Sequence, residues 1–147
     1  MNKYVVDANV FIQAKNDHYG MDFCPGFWEW LIDGCKKGKV CSIKAICDEL
    51  SQTPTDDEDE DELSKWVKTQ GNGLFLPHDQ LMTDQLPVVA QWANSQRYTP
   101  GAVSTFLGCA DFYIVAFALA HKHTVVTRAY ALSKSLFQRW LRKSEWQ

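Results

Sequence analysis

Apolar residues in this chain fall into short runs separated by turn residues, and the spacing inside the runs switches between strand-like and helix-like. Lys3 to Val6 is a β-branched and aromatic run stopped by Asp7-Ala8-Asn9. Val10, Phe11 and Ala14 then recur at helical spacing, which predicts strand, turn, helix. Pro25-Gly26 opens a second helix through Phe27, Trp28, Trp30, Leu31 and Ile32, with Gly34 and Gly38 at its exit. Val40 to Ile43 reads as a second strand and Ala45 to Leu50 as a third helix. Leu63, Trp66 and Val67 resume the helical period, Gly71-Asn72-Gly73 breaks it, and Leu74 to Leu76 is a third short strand. Leu81 to Ala93 is helical by pattern, with a break or restart expected at Pro87, which lacks a backbone donor. Pro100-Gly101 and Gly108 are expected to bracket a loop. Asp111 to Ala120, DFYIVAFALA, is apolar on every side and predicts a helix buried all round apart from its start. His123 to Thr127 is a fourth strand.

Short apolar strands alternating with helices, without polar alternation inside the strands, define an α/β class. The expectation is a three-layer fold, a mostly parallel sheet of four or five short strands flanked by helices. A length of 147 residues predicts one domain over residues 1–147. No apolar run approaches the roughly 20 residues that span a bilayer, and the start MNKYVVDANVF lacks the apolar stretch of a signal peptide. A soluble cytoplasmic protein without a membrane partner is expected. The five cysteines are odd in number and never spaced as CxxC, which predicts reduced, buried thiols in place of a disulfide or zinc framework.

Charge alters this picture locally. Seven of the 18 acids form the unbroken run 56–62, so the rest of the chain holds 11 acids against 15 bases. The segment 51–62 reads as a solvated acidic loop, since like charges repel and carry nothing to bury. Residues 128–147 form a basic tail in which Leu132, Leu136 and Trp140 share a helical stripe. Arg139, Arg142 and Lys143 beside Trp140 and Trp146 could track an RNA backbone or dock on a partner. His121 and His123, with no Cys close in sequence, read as structural. The Phe27-Trp28-Glu29-Trp30 cluster reads as core or dimer packing in preference to a base-stacking platform.

Three acids remain. In open parallel sheets ligands bind outside the carboxyl ends of the strands, and Asp7 stands at such an end. Glu49, next to Asp48, lies on a helix whose Ile46 and Leu50 face the core, and Asp111 opens an otherwise apolar helix. Singly, Asp7 and Asp111 are explained as helix caps and Glu49 as a surface residue. Together they would crowd one rim, where like charges raise each other's pKa unless a cation neutralises them. Oxygen ligands without His or Cys nearby favour Mg²⁺ or Mn²⁺. Such an ion supports phosphodiester hydrolysis by activating water and stabilising charge on a phosphoryl group.

The segments YVVDANVF, ICDELS and ADFYIVAFALAHKHTVVT, in this order over residues 3 to about 128, resemble the PIN-domain family of metal-dependent ribonucleases. Many of these are VapC-type toxins of toxin–antitoxin pairs. The resemblance extends to a subfamily with a DFCPGFWEWL-type segment after the first helix. It implies a PIN-like three-layer fold and an endoribonuclease with Asp7, Glu49 and Asp111 as metal ligands and catalytic residues. It further implies Asn9 and Thr127 as groups orienting ligands or water, RNA as substrate, a protein antitoxin as partner and a homodimer. The pattern departs from the family after Thr127, where a fourth acid is usual and this chain has Arg128, a candidate phosphate contact. The alternative reading is a PIN-like module with weakened or absent catalysis that binds protein or nucleic acid. A phosphatase of another Rossmann-like fold is disfavoured, because no second acid follows Asp7 two positions on.

Overall fold

The computed structural model describes residues 3–51, 62–71 and 73–127. The acidic run apart from Glu62, the basic tail with its amphipathic stripe, Asn72 and Arg128 lie outside the described residues.

Strand β1 (Tyr4–Val6) is the shortest route from the amino end to the core: Val5 and Val6 are buried and Asp7 follows at once. Helix α1 (Ala8–Gln13) starts directly after Asp7 and inserts Phe11 fully into the core. It passes into one π turn (Ala14–His18), closed by the Tyr19 amide donating to the Ala14 carbonyl at 2.7 Å. Helix α2 (Pro25–Lys36) begins with Pro at its first position and buries Trp28, Leu31 and Gly34, a stripe with a repeat of three residues. Gly34 is therefore an interior residue of α2 and not its exit; a Cβ there would meet Val40 Cγ2 at 3.1 Å, so its lack of a side chain lets the helix lie close on the next strand. The exit is at Gly38, whose φ of 69° suits a residue without a Cβ.

Strand β2 (Val40–Ile43) is buried at every position, as expected for a strand covered on both faces. Helix α3 (Lys44–Ser51) follows without a loop and buries Ile46 and Leu50. Helix α4 (Glu62–Gln70) buries Leu63 and Val67, and strand β3 (Phe75–Leu76) comes next. Helix α5 (Gln80–Ser95) runs straight through Pro87. The expected break does not occur because Met82, Val89 and Ala93 keep one stripe buried, while Pro87 is exposed and the carbonyl it leaves unpaired lies on the solvent side. The expected loop after Pro100 is likewise a helix, α6 (Pro100–Leu107). Thr99 caps it by accepting from the Ala102 amide at 3.2 Å, and Pro100 occupies the first turn, where a missing donor costs nothing. Helix α7 (Ala110–His121) buries the continuous segment Ile114–Ala118 and leads through left-handed Lys122 into strand β4 (Thr124–Val126).

The four strands form one parallel sheet in the order β3-β2-β1-β4. Register pairs Val5 with Cys41 and with Val125, and Val6 with Val126. On one side, α1, α2 and α4 meet through Phe11, Trp28 and Trp66, with ring centroids 6.2 Å apart for Phe11 and Trp66 and 4.9 Å for Trp28 and Trp66. Helices α5, α6 and α7 pack on one another, and α3 bridges the groups by touching α1, α4 and α7. The result is the expected three-layer α/β arrangement. Among the described residues no single helix is long and apolar enough to cross a membrane.

Candidate functional site

The strand order decides where a ligand can reach the sheet. The chain leaves β1 toward β2 and β3 and returns by the long crossover α5–α7 to β4 on the other side of β1. The boundary between β1 and β4 is thus the point where the connections change direction, and the carboxyl ends of the strands flanking it frame a crevice. Asp7 is the first residue after β1 and Thr127 the first after β4.

Asp7 is only 3% exposed, an uncommon position for a carboxylate. Three bonds explain how it is held. Its amide donates to the Val126 carbonyl at 3.0 Å, extending the β1–β4 ladder by one residue. Its Oδ1 accepts from the Ala8 amide at 2.8 Å, and its Oδ2 accepts from Thr127 Oγ1 at 2.8 Å. Each carboxylate oxygen keeps a second acceptor direction. Beside it, the fully buried Ser42 donates from Oγ to the Val6 carbonyl at 2.7 Å, tying β2 to the end of β1.

Glu49 and Asp111 reach the same field from α3 and α7. Burial holds the Asp111 carboxyl above the usual carboxylate range, and the charge of Asp7 pushes it further up. The Glu49 side chain remains largely exposed, yet desolvation on its inner side, followed by the charges of Asp7 and Asp111, raises its pKa too. Residues 42 and 62 positions apart in sequence therefore share one zone of negative potential, which separate capping roles do not explain. Asp111 is in fact not the cap of α7: Cys109 takes that position, leaving the Asp111 side chain available to the rim.

Other expected site residues divide. Thr127 makes the bond that orients Asp7, whereas Asn9 is exposed on the first turn of α1 and the orienting bonds come from Ala8 and Thr127. Arg128 falls outside the described residues. Two neighbours escaped the sequence reading. Ser42 looked like an ordinary strand residue, its only signal being a polar side chain inside a buried run. Cys109 reads as one of several buried thiols; it is half-buried two residues before Asp111, its thiol donates to the Phe106 carbonyl at 3.1 Å, and its side chain opposes the upward shift of the Asp111 pKa. Burial raises the Cys109 pKa, so it stays a thiol and not a thiolate ligand. Of the five cysteines only Cys41 is fully buried; the rest are half-buried, and all five are free.

His121 and His123 have structural partners. His121 Nε2 meets Asp79 Oδ2 at 2.7 Å, joining the start of α5 to the end of α7, and His123 Nδ1 meets Cys41 Sγ at 3.6 Å. Trp28 donates from its indole to the Tyr19 carbonyl at 2.7 Å and packs in the core, while Trp30 is exposed.

Among the described residues, no group of three or more His, Cys, Asp or Glu side chains is drawn together closely enough to cage a metal ion. The oxygen-only donor set with its mutual repulsion suits a hard, hydrated cation held by one or two carboxylates and completed by water, not a closed all-protein site.

A parallel three-layer α/β protein with an acidic rim at its topological switch point is the class these features define. The chain belongs to the family described as domain of unknown function DUF4411, whose model matches residues 4–137. Neither a curated protein nor a solved structure matches the chain.

Proposed function

We propose that this protein is a metal-dependent endoribonuclease of PIN type that hydrolyses RNA phosphodiesters. The observation that carries the reading is the buried Asp7, fixed at the switch point by Ala8 and Thr127 while its charge raises the pKa of both Glu49 and Asp111. Acids that repel one another across a solvent-accessible rim are arranged for a cation. Asp7 and Asp111 would hold Mg²⁺ or Mn²⁺, with Glu49 reaching it through water. The bound ion supplies a Lewis acid for the phosphoryl oxygens and lowers the pKa of water to that of a usable nucleophile. Thr127 keeps the Asp7 carboxylate in one orientation, so that no reorganisation is needed when RNA binds. Glu49, on the exposed side of the rim, would serve as the acceptor for a proton from the attacking water. The resemblance to toxins of toxin–antitoxin pairs extends the proposal to a protein antitoxin that covers the rim, a homodimer, and action in the cytoplasm, where five free thiols would stay reduced.

The test is purified protein with structured and unstructured RNA, in Mn²⁺ or in chelator, beside Asp7→Asn. Asn caps helices as well as Asp, so this variant keeps the fold and removes the charge. Cleavage by the wild type in Mn²⁺, lost by at least about a hundredfold in D7N and in chelator, is the expected result. RNA binding without cleavage in either protein overturns it in favour of the second reading, a binding module without catalysis. The lack, among the described residues, of three acids gathered closely enough to cage an ion and the basic Arg128, where the PIN pattern has a further acid, favour that second reading.

A further inference from the structure

A cavity of about 320 Å³ opens at the carboxyl ends of β2 and β3, where Ile43 and Leu76 form its apolar floor. Its wall is aromatic: the rings of His78 and Tyr113 meet edge to face with centroids 6.1 Å apart, and His78 is fixed by a 2.7 Å hydrogen bond to Thr83 Oγ1. Its mouth carries Lys44 and Asp48, joined Nζ to Oδ1 at 3.1 Å. The volume is at the lower end of small-molecule sites and admits one nucleotide, not a peptide helix.

The place of this cavity matters as much as its lining. Strand β2 lies between β3 and β1 in the parallel sheet, so the cavity at the ends of β2 and β3 and Asp7 at the end of β1 open on the same carboxyl edge. Helices α3 and α7, which carry Glu49 and Asp111, also line the cavity through Asp48 and Tyr113. A larger cavity of about 470 Å³ between α2 and α4 shares no residue with the rim.

We propose that the 320 Å³ cavity is a nucleobase pocket that selects guanine next to the phosphodiester to be cut. The assignment rests on reading the rim as a nuclease centre, because the cavity shares the carboxyl edge of the sheet with Asp7. Tyr113 gives the base a stacking surface, which every base can use. Selection comes from the Lys44–Asp48 pair, which offers a donor and an acceptor side by side. A carboxylate only accepts, so Asp48 pairs through both oxygens with a base only where two donors stand side by side, and among the four bases only guanine presents N1–H beside an N2 amino group. Its O6, next along the same edge, faces the Lys44 ammonium, which only donates.

The four nucleoside 5′-monophosphates titrated into the full chain in chelator, followed by NMR shifts, test this without any requirement for cleavage. GMP is expected to bind about tenfold more tightly than AMP, CMP or UMP. Asp48→Asn, a surface change, removes that preference while binding of all four persists. Tyr113→Leu weakens all four about tenfold. Equal affinity for the four nucleotides, binding of none, or a GMP preference that survives in D48N overturns the pocket. RNA cleavage without GMP preference leaves the nuclease reading standing and removes only this assignment; GMP preference without cleavage does the reverse.

Discussion

Thr127 is the residue on which the geometry of the rim turns, because its hydroxyl supplies, among the described residues, the side-chain bond to the buried Asp7. Thr127→Val keeps the shape and deletes the donor, leaving Asp7 Oδ2 without that bond. The expected loss is about 1–3 kcal/mol of stability and roughly 10- to 100-fold in metal-dependent cleavage, whereas Thr127→Ser retains most of both. Chemical denaturation and initial-rate assays on the pair check this, and equal behaviour of the Val and Ser variants would contradict it. Much of this site was legible in the chain: Asp7 stands where an apolar run ends, and Asp111 interrupts a run that is otherwise apolar. Ser42 was not, because its role depends on the Val6 carbonyl that the sheet brings beside it from 36 residues away, and nothing local encodes that.

At the level of elements, proline and glycine punctuate less than their reputation suggests. Pro87 lies inside α5 and Pro100 starts α6, because a buried stripe in the first case and a Thr99 cap in the second outweigh the missing donors. Strands β1, β2 and β4 were readable from β-branched runs and β3 from Leu74 to Leu76 after a glycine break, whereas the α6 helix was hidden by Pro, Gly and small polar residues that serve equally well in loops. Two substitutions of opposite sign follow. Pro87→Ala restores a backbone donor on the exposed side of α5 and is expected to stabilise the fold by about 1–3 kcal/mol. Gly71→Ala is expected to destabilise by a similar 1–3 kcal/mol, since its Cβ would clash with the Val67 backbone carbonyl and fall 2.8 Å from Phe75 Cε2. Thermal unfolding of both variants beside the wild type gives the answer, with shifts in the same direction refuting the argument.

Across the whole molecule the rim stores electrostatic repulsion, and pH and cations act on it. Burial and Asp7 raise the Asp111 pKa, so the protonated carboxyl is favoured in the folded state. The stabilisation this brings is complete below the unfolded value near pH 4 and is lost as pH rises through the raised folded value. Asp111→Asn should therefore melt about 2–4 °C above the wild type at pH 7, and the gap should close toward pH 4. Added Mn²⁺ should raise the wild-type midpoint at pH 7 and leave the Asn variant nearly unmoved. A wild type indifferent to Mn²⁺ would point to a rim that repels without recruiting an ion. The bond between Asp7 and Thr127 also joins positions 120 residues apart, and β1 lies between β2 and the last strand, β4. A chain still emerging from the ribosome has made Asp7 long before it has made the hydroxyl that aims it. The Asp7 carboxylate therefore takes its described orientation only once the segment through Thr127 has been made and β4 has paired with β1.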